Sequence, residues 1–499
     1  MARLDMVREI VDRGVYGRTV ARFREQQITL PTFAELAEPA KIHADVLEKL
    51  AAVDPDAAHP LNLFRVHWYN DASRRGQAAT PGYLSLPSSL TGVDARILVA
   101  FGDRFPMINA HKVLAAYSCL VPRIVTGQFD PTAHRAVWPS TGNYCRGGVA
   151  ISRILGCHGV AVLPAGMSRE RFAWLEKWCL DPAHDIIRTP GTESNVKEIY
   201  DECARIDQDP QSVIFNQFSE FANYLGHFTV TGRALEAVYE AERAHHPHLR
   251  LAGYTSATGS AGTLAAGDWL KERHGAKIIA VEATECPTLL RNGYGEHNIQ
   301  GIGDKHVPYI HNVMNTDLVA GVSDHATDGL YVLFGTEVGQ RYLRERQGVP
   351  QETIDQLAHF GFSGIANVLA AIKTAKLLKL TKDDAIVTVA TDGAALYSTE
   401  AQKITKRDFP YGFDEVSAGE TFGRFMLGQG TGDLLELGRL ERERIFNLGY
   451  FTWVEQQGYG VDEFSARAKQ SFWTGLQDLV PAWDAMIDEV NTGASVTTV

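Results

Sequence analysis

No two cysteines in this sequence have Cys-x-x-Cys spacing; the six, at positions 119, 145, 157, 179, 203 and 286, are scattered. In a chain of this size that predicts reduced, mostly buried thiols and a cytoplasmic location. No uninterrupted apolar run reaches the roughly eighteen residues of a membrane span, so no membrane partner is expected. The opening Met1-Ala-Arg-Leu-Asp-Met-Val-Arg-Glu-Ile10 carries acids and no apolar core, which excludes a secretory reading of it. Basic charge is in deficit: 48 Lys and Arg stand against 60 Asp and Glu, a net charge of -12. Phosphate contacts need clustered cations, so nucleic acid is not an expected partner. Internal repeats and low-complexity stretches are also missing.

What is present is a globular composition of 45% hydrophobic and 22% charged residues with 45 glycines, in a chain of 499 residues that has room for two or three domains. Residues 1–94 read as an N-terminal extension, with helical spacing over 5–23 and 32–52. Residues 61–69, Leu-Asn-Leu-Phe-Arg-Val-His-Trp-Tyr, alternate apolar and polar side chains and predict a strand. From 95 a strand–turn–helix unit recurs, with strands expected at 95–101, 136–138, 159–164, 186–190, 251–254, 277–282 and 385–390. Strands alternating with helices of this length imply two parallel-sheet α/β domains, 95–230 and 231–410. Beyond them, 411–499 reads as a helical C-terminal extension.

In open parallel sheets, ligands bind where strand ends turn into helices. Three turns of that kind carry polar and glycine residues. In Gly259-Ser-Ala-Gly-Thr263, two glycines let backbone approach a ligand, and successive N–H groups with two hydroxyls suit a phosphate. Pro139-Ser-Thr-Gly-Asn143 opens a helix with hydroxyls and N–H groups, a cradle for an anion such as a carboxylate. Thr391-Asp-Gly393 places a neutral hydroxyl after the last apolar strand, where it can pair with a ring nitrogen. A fourth element, Lys112, enters a helix after Phe105-Pro-Met-Ile-Asn-Ala-His111. Taken singly, each has an ordinary structural reading: helix caps, strand-end turns, a surface lysine.

Together they resemble the fold-type II pyridoxal-phosphate enzymes of the tryptophan synthase β superfamily, most closely the cysteine synthase and cystathionine β-synthase branch. The likeness runs from about residue 95 to 402 and includes Met167-Ser-Arg-Glu-Arg171, Asn216-Gln-Phe-Ser219 and His297-Asn-Ile-Gln-Gly-Ile-Gly303. The resemblance implies pyridoxal 5'-phosphate held as a Schiff base by Lys112, the catalytic residue. It implies Asn143 at the ring oxygen, Gly259, Ser260, Ala261, Gly262 and Thr263 at the phosphate, and Thr391 at the ring nitrogen. Ser140, Thr141, Tyr144 and Gln217 would line the site for the substrate carboxylate. The implied activity is β-elimination or β-replacement on an amino acid with a β-leaving group, through an external aldimine and aminoacrylate, in a homodimer without a metal. Two alternatives stand beside it: a serine/threonine-type dehydratase and a non-catalytic pyridoxal-phosphate or metabolite-binding protein. This chain departs from its relatives at Val113-Leu114, where they carry Asp-Arg, and at Tyr144, where a threonine is usual.

Other residues invite weaker readings. His245, His246 and His248 sit in a polar junction without cysteine or carboxylate partners and read as solvated surface. His111 is placed to touch the cofactor phosphate or to serve in packing, His297 to contact substrate. Cys145 has no base partner in sequence, and Trp174 and Trp178 share one face of a helix as core.

Overall fold

The computed structural model describes residues 6–303 and 305–494. Among the described residues eleven strands form: β1 (Tyr83–Leu86), β2 (Arg96–Phe101), β3 (Arg135–Pro139), β4 (His158–Pro164), β5 (Ile186–Thr189), β6 (Ser212–Ile214), β7 (Arg250–Ala257), β8 (Lys277–Ala283), β9 (Leu318–Val322), β10 (Asp384–Ala390) and β11 (Leu434–Glu436). They make a seven-stranded sheet of order β1-β2-β10-β7-β8-β9-β11 and a four-stranded sheet of order β5-β4-β3-β6. The four-stranded sheet is parallel throughout, and so is the large one from β2 to β9; β1 and β11 are antiparallel edges. β8 and β10 are apolar along nearly their whole length because helices cover both faces, as parallel sheets require.

Strand β2 belongs by sequence to the 95–230 segment, yet it pairs with β10, six residues in register from Arg96–Ala385 to Phe101–Ala390. It also pairs with β1, which precedes residue 95. The chain therefore enters the large sheet first, crosses to build the small one from β3 to β6, and returns with β7.

The strand expected over 61–69 is a 3-10 turn, Pro60–Arg65. Proline at its first turn sets a helical φ. The buried Arg65 guanidinium then reaches the carbonyls of Leu50 (2.8 Å) and Val53 (3.0 Å), which fixes a loop cluster instead of an edge.

The two extensions are joined to each other. Helix Arg13–Gln26 packs along helix Leu479–Ala494. The Asp484 carboxylate accepts the backbone N–H groups of Phe33 (2.6 Å) and Ala34 (3.1 Å), and the Asn491 amide pairs with both the N–H and the carbonyl of Leu30 at 2.8 Å. Phe33 bridges Trp483 of the C-terminal helix and Tyr117 of helix Lys112–Val125, each at 6.1 Å between ring centres. The termini thus buttress the helix that begins at Lys112. Among the described residues, no helix is long and apolar enough to cross a membrane.

Candidate functional site

The loop before Lys112 is conformationally unusual. Met107 and Asn109 both have positive φ, 65° and 51°, and Ala110 makes an isolated antiparallel bridge to Asp392. A methionine in the left-handed region costs on the order of 1–2 kcal/mol, so this path is held by its surroundings. Arg146 donates to the Ile108 carbonyl at 3.0 Å and Arg74 to the Asn109 side chain at 2.7 Å. The result is that Lys112 becomes the first residue of its helix, with a partly exposed side chain among buried neighbours.

The Lys112 Nζ lies 3.2 Å from Ser260 Oγ and 3.4 Å from Gln217 Oε1. One cavity is lined by Lys112, Ser140, Thr141, Asn143, Tyr144, Gln217, Gly259, Ser260 and Thr391, and an adjoining one adds His111 and Thr263. Ala261 and Gly262 line neither, but shape the turn. Ala261 has φ 65°, and a Cβ on Gly262 would stand 2.5 Å from Asn223 Oδ1. Asn223 in turn donates to Ser260 Oγ (3.1 Å) and to the Gln217 carbonyl (3.0 Å), tying the two sides of the cavity together.

The donor set fits a phosphate. The backbone N–H groups of Gly259, Ser260, Ala261 and Thr263 have no acceptor among the described residues, although Ser260, Ala261 and Thr263 are buried. Buried backbone donors are almost always paired, so consecutive free ones at a helix start form an anion cradle. The loop packs closely at Gly259, where a Cβ would stand 3.0 Å from the Gly301 carbonyl oxygen.

On the opposite wall, Asn143 is pinned by two buried ions: its amide donates to Asp392 Oδ2 at 2.6 Å and its oxygen accepts from Arg146 at 2.9 Å. Ser140 Oγ accepts the Gly142 N–H at 2.9 Å. Thr141 donates its hydroxyl to Glu193, which also receives the Gly301 N–H at 2.8 Å. Tyr144 also lines the cavity; its ring packs on Trp138 at 5.4 Å and its hydroxyl donates to the Phe215 carbonyl at 3.2 Å.

Sequence patterns missed the charged network behind this wall. Arg171, fully buried, donates to Gln300 (2.8 Å) and to the Tyr397 hydroxyl (3.1 Å), and lies 3.8 Å from Glu193. Tyr397 donates to Asp392 at 2.7 Å. Burial pushes the Glu193 carboxyl up to about 7 against the pull of Arg171, and raises Asp392 likewise. Two arginines and two carboxylates thus share one buried cluster. Arg171 and Asp392 lie in the Met167–Arg171 and Thr391–Gly393 motifs, and only three-dimensional proximity gives them work; Glu193 belongs to no motif.

Residues with weaker readings also find places. His297 is a loop brace: Nε2 pairs with the Gly303 carbonyl (3.1 Å), Nδ1 accepts the Ile299 N–H (3.1 Å), and it lines neither cavity around Lys112. Cys145 is buried, with its thiol pushed up to about 12 and donated to the Gly142 carbonyl. Trp174 and Trp178 stack at 4.8 Å. His245 and His248 are exposed, and no cluster of metal-ligating side chains occurs among the described residues.

No family model matches the sequence. A probable cysteine synthase of Bacillus subtilis is 26% identical over 288 residues, 57% of this chain and 83% of that protein. Cysteine synthase 3 of Caenorhabditis elegans is 30% identical over 224 residues, 44% of this chain and 61% of its own length. Among solved structures, a hydrogen sulfide-producing enzyme of Fusobacterium nucleatum aligns with a TM-score of 0.52 at 21% identity, covering 64% of this chain and 96% of that one. A cysteine synthase of Entamoeba histolytica aligns with a TM-score of 0.51 at 21% identity, covering 69% and 93%. The structural likeness speaks for the fold.

Proposed function

We propose that this chain, a homologue of the cysteine synthases on the fold-type II architecture, is a pyridoxal 5'-phosphate-dependent lyase or β-replacing enzyme acting on an amino acid with a β-leaving group. The observation that carries this reading is the approach of Lys112 Nζ to Ser260, in a loop whose N–H groups await an anion.

In this reading Lys112 holds the cofactor aldehyde through Nζ, Gly259 to Thr263 hold its phosphate, Asn143 meets its ring oxygen and Thr391 its ring nitrogen. When bound, the group supplies an electron sink for the bond broken at the substrate Cα. Lys112, once its amine is released, would take the substrate α-proton at Nζ. Ser140 keeps its own O–H as a donor for the substrate carboxylate, because its oxygen already accepts the Gly142 N–H. Gln217 faces the same space beside Lys112. The Thr141 hydroxyl is committed to Glu193, so Thr141 serves the carboxylate through its backbone. Tyr144 lines the same cavity. A cytoplasmic homodimer goes with this reading, and the six cysteines, all buried, suit a reducing compartment.

The test is spectroscopic, then chemical. The purified full-length chain incubated with pyridoxal phosphate and desalted should retain a visible absorbance band that Lys112→Ala lacks. Serine, O-acetylserine and cysteine should then be screened for release of pyruvate, ammonia or sulfide. A colourless protein, with or without Lys112, would sink the assignment.

A further inference from the structure

His111 has a second partner besides the lysine it precedes. Its Nε2 lies 3.2 Å from Thr391 Oγ1, and its backbone N–H donates to the Thr391 carbonyl at 3.3 Å. Its ring leans on Trp68, with centres 5.4 Å apart, and meets His227 edge to face at 5.3 Å. His227 sits on a π-helical turn, His227–Thr231, where Thr231 Oγ1 pairs with its Nδ1 (2.8 Å) and accepts from the Trp68 indole (2.9 Å). His111 is buried, and its Nδ1 has no hydrogen-bond partner among the described residues.

That orphan decides the tautomer. A neutral imidazole carries one N–H and one bare nitrogen. A proton on Nδ1 would bury a donor with no acceptor, and orphaned buried donors are the rarer and costlier defect. A bare Nδ1 among rings loses less, so the proton belongs on Nε2. The ring stays neutral because burial, with the Lys112 charge beside it, lowers its pKa to about 3. With Nε2–H donating to Thr391 Oγ1, the Thr391 hydroxyl hydrogen is left to point elsewhere, and Thr391 lines the Lys112 cavity.

We propose that His111 is a positioning residue: by donating to Thr391 it leaves the Thr391 hydroxyl hydrogen for the cofactor's ring nitrogen and so favours an unprotonated nitrogen. The inference rests on the reading that Thr391 faces the ring. With the opposite tautomer, Thr391 would donate to His111 and could only accept from a protonated ring. An unprotonated ring is the weaker electron sink, which favours loss of a β-group over transamination.

Nitrogen-15 NMR of the histidines in the cofactor-free chain, assigned with His111→Gln, should show His111 neutral with the proton on Nε2. A proton on Nδ1, or a cationic ring near neutral pH, overturns the proposal. With ring-labelled pyridoxal phosphate bound, the ring nitrogen should be unprotonated in the wild type and in His111→Gln, whose amide can still donate, and shifted toward protonation in His111→Leu. A protonated ring in the wild type, or identical spectra for all three, also overturns it. A wild type that takes up no pyridoxal phosphate instead defeats the reading of the site, whichever tautomer His111 shows.

Discussion

The Nζ atom of Lys112 lies 3.2 Å from the hydroxyl oxygen of Ser260, joining the start of one helix to a loop 148 residues later. Behind Ser260 stands Asn223, which holds that hydroxyl and the Gln217 backbone at once. The lysine is therefore aimed by a loop whose own shape depends on having no side chain at Gly262.

Gly262→Ala tests this dependence. The added Cβ would meet Asn223 Oδ1 at 2.5 Å, so Asn223 must move and release Ser260. The expected result is a folded protein whose pyridoxal-phosphate affinity falls at least about tenfold, about 1.4 kcal/mol, in a spectral titration. An unchanged affinity would show that the loop tolerates a side chain there.

Asp392→Ala addresses the network behind Asn143. Asp392 receives Asn143 and Tyr397 and lies in the field of Arg146 and Arg171. Removing it leaves the two buried guanidinium groups with Glu193 as the remaining carboxylate of the cluster. Breaking a buried ionic network in this way costs about 3–5 kcal/mol. Denaturant unfolding followed by fluorescence should show a loss of that size, whereas a loss below about 1 kcal/mol would mean that water or rearrangement rescues the cluster.

How much of this was readable in the sequence follows from the range of each interaction. Parallel strands such as β8 and β10 and the glycine loop after β7 are local patterns, and each formed where its residues implied. The Asn143–Asp392 and Arg171–Tyr397 contacts span 249 and 226 residues, and no local spacing encodes them. Residues 61–69 show the opposite failure. Their alternation was genuine, but Pro60 and the buried Arg65 outweighed it. The joining of the two terminal extensions was equally hidden, since helical periodicity gives a face but not its partner.

Acid should destabilise the protein through its enclosed histidines. His311 is buried and its pKa falls from the ordinary 6.5 to about 3, chiefly by desolvation. The folded state then binds fewer protons than the unfolded one. The stability from this group is complete above 6.5 and is lost as pH falls from 6.5 toward 3, by up to about 1.4 kcal/mol per pH unit. Other groups titrate in the same window, so the comparison to make is wild type against His311→Gln. The variant's unfolding free energy should fall less steeply between pH 6.5 and about 5, by about one proton per molecule. Parallel curves would mean that His311 titrates normally in the fold.

Asp484 tests whether the terminal extensions serve the site or merely decorate it. Its carboxylate accepts the N–H groups of Phe33 and Ala34, and Phe33 packs against Tyr117 in the helix that Lys112 begins. Asp484→Ala leaves two donors at the start of helix Phe33–Ala37 without that acceptor, a defect worth about 1–3 kcal/mol. Asp484→Asn keeps one acceptor oxygen and should cost less. If the extensions buttress the Lys112 helix, Asp484→Ala should also weaken pyridoxal-phosphate retention in proportion to its loss of stability, although Asp484 is remote in sequence and lines neither cavity around Lys112. Loss of stability with retention unchanged would separate the clasp from the site, and would assign the extensions to folding alone.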